Sequence, residues 1–230
     1  MTYHMEIITF LAYCGGATQA QLSRYFNRPQ QTIDRQVRSM IDGGLVRPIA
    51  QIAANNRQAK FVSLTARAAS LLERSRYAVN DSSAFLRKSY LRSEWVCLTG
   101  YKIIQADTKG MNPLFAENES RKFAAVSVLS VESAKAHIEL LMSHEDETEL
   151  LLYDSVYGKL KELEPGIFER VMSFDEWVRM MPDMDSSERG IVSKKLREAK
   201  EKGETESIRI APFGNVKAFN VGREPVFIKA

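Results

Sequence analysis

Between residues 27 and 41 the chain sets Gln30, Gln31, Asp34, Arg35 and Arg38 beside Ile33, Val37, Met40 and Ile41, which recur at helical spacing. The apolar set would form the buried stripe of a helix and the polar set its wet face. Amide and guanidinium groups make paired hydrogen bonds to base edges, and guanidinium also meets phosphate. A purely structural helix more often carries Glu/Lys pairs there, so the choice points to reading duplex DNA. Asn27, Arg28 and Thr32 fall at or near the N-terminal turn of this helix, where free backbone amides and the helix dipole favour phosphate. Further on, Asn55, Asn56, Arg57, Gln58 and Lys60 form a polar turn between two short apolar runs. Such a wing would enter the minor groove or lie along the phosphates. The competing use of the same helix, contact with protein alone, fits less well with the basic balance of this part of the chain.

Catalytic chemistry has weaker material. A metal-dependent nuclease needs two carboxylates and usually a lysine on adjacent strand ends. Asp154 sits where a strand should end and Asp107 precedes Lys109, yet no Glu-x-Lys follows on a neighbouring strand, and Asp154 is more simply a helix N-cap. His4, His137 and His144 do not cluster with cysteines, and the Glu145-Asp146-Glu147 run after His144 reads as a solvated acidic turn. Gly15-Gly16 lacks the lysine and preceding strand of a phosphate loop. Cys14 and Cys97 match no metal-ligand spacing and read as two buried free thiols of a reducing cytoplasm. No enzyme activity, metal or cofactor is expected.

The elements that must hold these residues follow from periodicity and caps. A first helix covers Glu6 to Tyr13 and stops at Gly15-Gly16. Thr18 caps a second, Gln19 to Tyr25, with Leu22 and Phe26 inward. The third starts near Pro29 and ends at Gly43-Gly44. Leu45 to about Ala53 and Lys60 to Leu64 are strands, and Thr65 caps a fourth helix through Arg76. Three helices followed by a hairpin describe a winged helix-turn-helix. Ala78 to Trp95 reads as a connecting helix with Val79, Phe85, Leu86, Tyr90 and Leu91 on its apolar side, and residues 106–122 as a loop.

A second pattern follows. Phe123 to Leu129, Leu150 to Tyr153 and Ile167 to Phe174 read as strands. Ser133 to Ser143, Tyr157 to Leu163 and a segment starting at Phe174 read as helices. The alternation predicts a small, mostly parallel α/β sheet. Ser186 to Lys202 is a strongly charged surface helix, and Ile208 to Ile228 an irregular hairpin. The expected fold class is therefore α+β, a winged helix-turn-helix over 1–76, a linking helix over 77–105, an α/β domain over 106–185, and a charged helix with C-terminal tail over 186–230.

Composition is that of an ordinary globular chain, with 44% hydrophobic and 27% charged residues. No run approaches the roughly 20 apolar residues that span a bilayer, and no signal peptide is legible. The net charge of +3 hides an asymmetry. Residues 1–80 carry ten Lys/Arg against four Asp/Glu, whereas 137–185 carry four against thirteen. A basic first unit joined to an acidic later one suits nucleic acid at one end only. The acidic part has a simpler use as solubilising surface.

The N-terminal winged helix, the Val79-Asn80-Asp81 segment opening the linking helix and the α/β domain that follows resemble the replication-relaxation proteins of plasmids, phages and integrated mobile elements. That family usually shows His two residues before the Val-Asn-Asp, where this chain has Tyr77. The resemblance implies a second domain like a reduced restriction-endonuclease fold, a mobile-element origin and a regulatory or replication-linked role.

The expectation is a cytoplasmic protein that binds double-stranded DNA sequence-specifically. It would be a repressor-like transcriptional regulator of a mobile element or defence locus. One module reads a short half-site, so a homodimer is expected, built through the linking helix or the second domain. Trp95, Trp177, Phe85, Tyr90 and Phe174 would either cover that dimer surface or fill the core. The α/β domain offers room for a further protein partner, and no membrane is involved. The rival reading is an adaptor that loads a replication or transfer complex on DNA; the third is the nuclease.

Overall fold

The computed structural model describes residues 3–54, 57–72, 81–106, 113–119, 121–141, 147–163, 170–184, 186–210 and 216–229. The chain is a mixed α+β protein. Helix α1 (Tyr3–Cys14) ends at Gly15, whose φ of 89° lies in the left-handed region that glycine adopts without strain. Strand β1 (Ala17–Thr18) leads into α2 (Gln19–Tyr25). Its start is a reciprocal capping box: Gln21 N donates to Thr18 Oγ1 at 3.1 Å and Thr18 N donates to Gln21 Oε1 at 2.9 Å. Helix α3 (Gln30–Asp42) and the strands β2 (Val46–Ala54) and β3 (Arg57–Leu64) complete a winged helix-turn-helix, followed by α4 (Ala66–Leu71) under its Thr65 cap.

Helix α5 (Ser83–Thr99) is the segment expected to link two domains, and it lies inside the protein. Leu86, Ser89, Leu91, Arg92, Ser93, Trp95 and Val96 are all buried. At 100° per residue they spread round more than half of the helix, so it has no single apolar stripe. Leu91, Trp95 and Val96 share one core with Ile7, Ile8 and Leu11 of α1, with Ile33 and Val37 of α3, and with residues of the second sheet. The linking helix is thus core, and its aromatic residues are not a free dimer surface. Trp95 donates to the buried Glu149 at 2.5 Å, and Trp177 fills a separate small core.

The second sheet departs from the mostly parallel expectation. Strands β4 (Lys102–Ala106), β5 (Leu114–Asn118) and β6 (Arg121–Ser127) form an antiparallel meander. Beyond α6 (Val131–Leu141), strand β7 (Glu147–Leu152) pairs parallel with β6, and β10 (Val216–Asn220) pairs parallel with β7. The order is β10-β7-β6-β5-β4. Strand β5 falls inside the stretch read as a loop. Its alternating burial of Leu114 and Ala116 against the more open Phe115 and Glu117 is a genuine two-residue period, too short to stand out after Asn112-Pro113. Helix α7 (Asp154–Leu163) follows β7, and with α6 it covers the outer face through Val131, Ala134, Val156 and Leu160.

Residues 170–210 form a unit with its own core. Strand β8 (Arg170–Ser173) pairs with β9 (Ser207–Ile210), and α8 (Phe174–Met180) and α9 (Ser186–Glu201) pack Trp177, Val192, Leu196, Ala199, Ile208 and Ile210 together. The expected C-terminal hairpin does not form. Gly222, with φ 97°, and Pro225 separate β10 from β11 (Val226–Lys229), which crosses to the winged-helix sheet. There it pairs antiparallel with β2, Phe227 opposite Ile52, giving the order β1-β3-β2-β11. Phe227 lies edge-on to Phe61 at 5.4 Å and to Tyr90 of α5 at 6.1 Å. Arg87 of α5 and Glu224 are ion-paired just before that strand. Among the described residues no helix is long and apolar enough to cross a membrane.

The helix-turn-helix is held to α5 by polar groups as well as by packing. Glu94 takes both guanidinium nitrogens of Arg24, at 2.9 and 2.7 Å, and the Gln21 amide at 2.9 Å. Its hydrogen bond with Glu94 keeps the Arg24 guanidinium firmly protonated. Ser93 donates to Gly16 O at 2.5 Å, Ser63 to Gly15 O at 2.6 Å, and Cys97 Sγ to Gln21 O at 3.1 Å. Gly16 has no space for a side chain: a Cβ there would stand 2.5 Å from the Phe61 ring. Replacing Glu94 by Ala should cost about 2 kcal/mol, because it strips a charged acceptor from Arg24 and Gln21 while half of the Arg24 side chain stays hydrated. Urea denaturation of the two proteins measures this.

Burial pushes the Cys97 thiol up to about 12 and raises Cys14 as well. A raised thiol favours the folded state below its ordinary value of 9.0, and this contribution is lost as pH rises from there towards 12. Stability should fall by roughly 1 kcal/mol per pH unit in that window on account of Cys97. Comparing alkaline unfolding of wild type and Cys97→Ala isolates the contribution, with a shallower slope expected for the variant.

Candidate nucleic-acid interface

Helix α3 is built to be anchored on one side and bare on the other. Ile33, Val37 and Met40 are buried against α1, α2 and the sheet, with Ile41 half-buried beside them. Gln31, Arg35 and Arg38 follow at four- and three-residue steps on the opposite side, and all three are exposed, as are Gln30 and Thr32. Asp34 is half-buried at the edge of that face, with one carboxylate oxygen enclosed. The structure therefore brings Gln31, Arg35 and Arg38 together on one exposed face, as the sequence pattern predicts.

The start of α3 is equally open. Pro29 occupies the cap position with φ −54° and gives no side-chain cap, and the first turn holds no acidic residue. The early backbone N–H groups and the positive end of the helix dipole consequently face outward, the arrangement that favours a phosphate oxygen. Asn27 and Arg28 lie exposed in the turn just before. That turn is fixed: Phe26 N donates to Leu22 O at 3.0 Å, Arg28 N to Ser23 O at 3.1 Å, and the Ser23 hydroxyl to Arg28 O at 2.6 Å. Asn27 adopts φ 48°, a left-handed conformation that Asn tolerates better than most residues.

The far end of α3 is tied to the sheet. Leu45 N donates to Met40 O at 2.9 Å, Thr65 N to Leu45 O at 3.0 Å, and the Thr65 hydroxyl to Gly44 O at 2.7 Å. This brings in two residues that the linear pattern did not single out. Arg47 on β2 and Arg67 on α4 are both exposed, and the Arg67 guanidinium lies 3.9 Å from where a Cβ on Gly44 would be. They add positive charge beyond the C-terminal end of α3. Arg67 lies 25 positions after Asp42, and only the Thr65 cap, which turns α4 back onto the Gly44 turn, hints at the meeting.

Of the expected wing residues, Lys60 is exposed on β3. Arg57 and Gln58 belong to the same strand, opposite Ala54 and Ala53. Asn55 and Asn56 lie outside the described residues, as do Asp107, Lys109 and His144. Asp154 opens α7, and its carboxylate accepts from the Asn220 amide at 2.8 Å, which ties α7 to β10. His137 is bonded through Nδ1 to Ser133 O at 2.7 Å. Among the described residues no three His, Cys, Asp or Glu side chains come together in a way that could hold a metal ion.

No known protein family, no curated protein and no solved structure matches this chain. The Asn27 turn gives a direct check on how α3 is aimed. Asn27→Gly should leave stability nearly unchanged, whereas Asn27→Val should cost about 1–2 kcal/mol by forcing a β-branched residue into the left-handed region. Thermal or urea unfolding of the pair decides it.

Proposed function

We propose that this protein binds double-stranded DNA sequence-specifically and acts as a repressor-like transcriptional regulator. The observation that supports it most is the outer face of α3. Gln31, Arg35 and Arg38 stand exposed together, opposite a stripe sunk into the core, and the helix begins with an uncapped N-terminus. On this reading Gln31 and Arg35 contact base edges in the major groove. Asn27, Arg28, Gln30, Thr32 and Arg38 complete the contact at base edges and phosphates. The wing, with Asn55, Asn56, Arg57, Gln58 and Lys60, gives a second contact. Two copies reading one palindrome, a cytoplasmic setting and an origin in a mobile element or defence locus belong to the same proposal. The burial of α5 leaves the pairing surface to be sought elsewhere on the molecule.

A second reading, an adaptor that loads a replication or transfer complex, draws on the 170–210 unit. It has its own core and an exposed apolar pair, Val171 and Val178, at 57% and 56% exposure. An adaptor would present such a unit to a protein partner while the winged helix holds DNA.

The test is selection from a pool of random duplexes with the purified chain at near-physiological salt, followed by sequencing. An enriched motif is expected, and a palindrome would report pairing. Gln31→Ala and Arg35→Ala should each cost about 1–3 kcal/mol of affinity for that motif and relax one position of it, whereas Lys60→Ala should mainly flatten the salt dependence. Absence of enrichment, or binding lost on a modest rise in salt, would move the adaptor reading to first place.

A further inference from the structure

On the side of the winged helix formed by α1, the end of α2 and β4 lies a groove of about 550 Å³, within the size range of small-molecule sites. Its floor is aromatic. Phe10, Tyr25 and Phe26 pack with ring centroids 4.7, 5.0 and 6.0 Å apart, and all three line the opening. Two charged residues stand at its edge, and they are not equivalent. The Lys102 ammonium is already bound to Glu117 at 2.8 Å, so its charge is largely matched. The Glu6 carboxylate is exposed and has no ion pair or hydrogen bond among the described residues. Among the described residues lining the groove, the charge without an ion-pair partner is therefore the negative one of Glu6.

Aromatic faces carry negative electrostatic potential, and they attract cations and stack on flat rings. The three rings are tilted at 49°, 59° and 80° to one another, so they offer both faces and edges, and below the Glu6 carboxylate this favours a positively charged ligand that carries an aromatic ring. We propose that this groove is a binding site for a small planar aromatic cation. The ring would lie against Phe10, Tyr25 and Phe26, and the cationic group would face Glu6. Phe26 immediately precedes Asn27, the left-handed residue of the turn that leads into α3, so an occupant would rest against the support of that helix. The site itself does not depend on what α3 binds.

Isothermal titration of the full chain, without DNA, with tryptamine and with indole-3-acetate tests the site. The two probes share the indole ring and carry opposite charge. The whole protein is net positive at +3, so non-specific attraction would favour the acetate. The proposal expects tryptamine to bind at least tenfold more tightly. Glu6→Gln, a change at an exposed position, should bring the two probes to within threefold of each other while leaving the unfolding midpoint unchanged. Phe26→Leu should weaken tryptamine at least fivefold. Equal or tighter binding of indole-3-acetate, no saturation by tryptamine at millimolar concentration, or an unchanged preference in Glu6→Gln would each overturn it.

Discussion

The burial of α5 is the constraint on which the other contacts depend. A helix enclosed over more than half of its circumference must find apolar partners in several directions, and a polar group taken inside with it is costly unless it is hydrogen-bonded. Trp95 meets α1 and the second sheet at once and hands its N–H to Glu149. Ser93 donates to the Gly16 carbonyl in the α1–α2 connection, and Cys97 donates to the Gln21 carbonyl in α2. Glu94, near the surface, closes the same junction with charge. Hydrophobic packing and the hydrogen bonds of Ser93, Trp95 and Cys97 thus converge on one helix, and the winged helix and the α/β sheet share a single core.

That junction explains why α3 can be spare with its own contacts. Its inner face is anchored by three buried apolar residues, its entry by the bonded turn at residues 26–28, and its exit by Thr65. None of these uses the outer side chains, which remain free to meet a ligand without loss of fold. A surface held this way is pre-organised, so little ordering cost remains to be met on binding. The C-terminal strand β11 adds to this by pairing with β2 and setting Phe227 against Phe61 and Tyr90. The base of the wing is then backed by α5 as well as by its own hairpin.

Much of the first seventy residues was legible because local signals agree with tertiary placement there. The Thr18 and Thr65 caps, the glycines at 15–16 and 43–44, and the 3.6-residue spacing of Ile33, Val37 and Met40 each report short-range physics that holds whatever lies beyond. The exposed polar face of α3 was legible for the same reason, since the position of a buried stripe also defines the side opposite it. Strand β5 was missed because five residues give two or three turns of alternation, too few to outweigh a neighbouring proline. Arg47 and Arg67 were missed because their place beside α3 depends on how a hairpin and a helix fold back.

Local pattern along the chain suffices for the elements of the winged helix, the polarity of each face of α3, the α+β class and the uneven charge. Those properties arise from neighbours within a few positions, where backbone geometry dictates which side chains share a face. Tertiary structure decided that the linking helix is core, that the second sheet is half antiparallel, and that the tail divides among three sheets. It also assembled the aromatic groove from α1, α2 and β4. Such outcomes depend on which distant surfaces exclude water together, and no short-range pattern along the chain encodes the choice of partner.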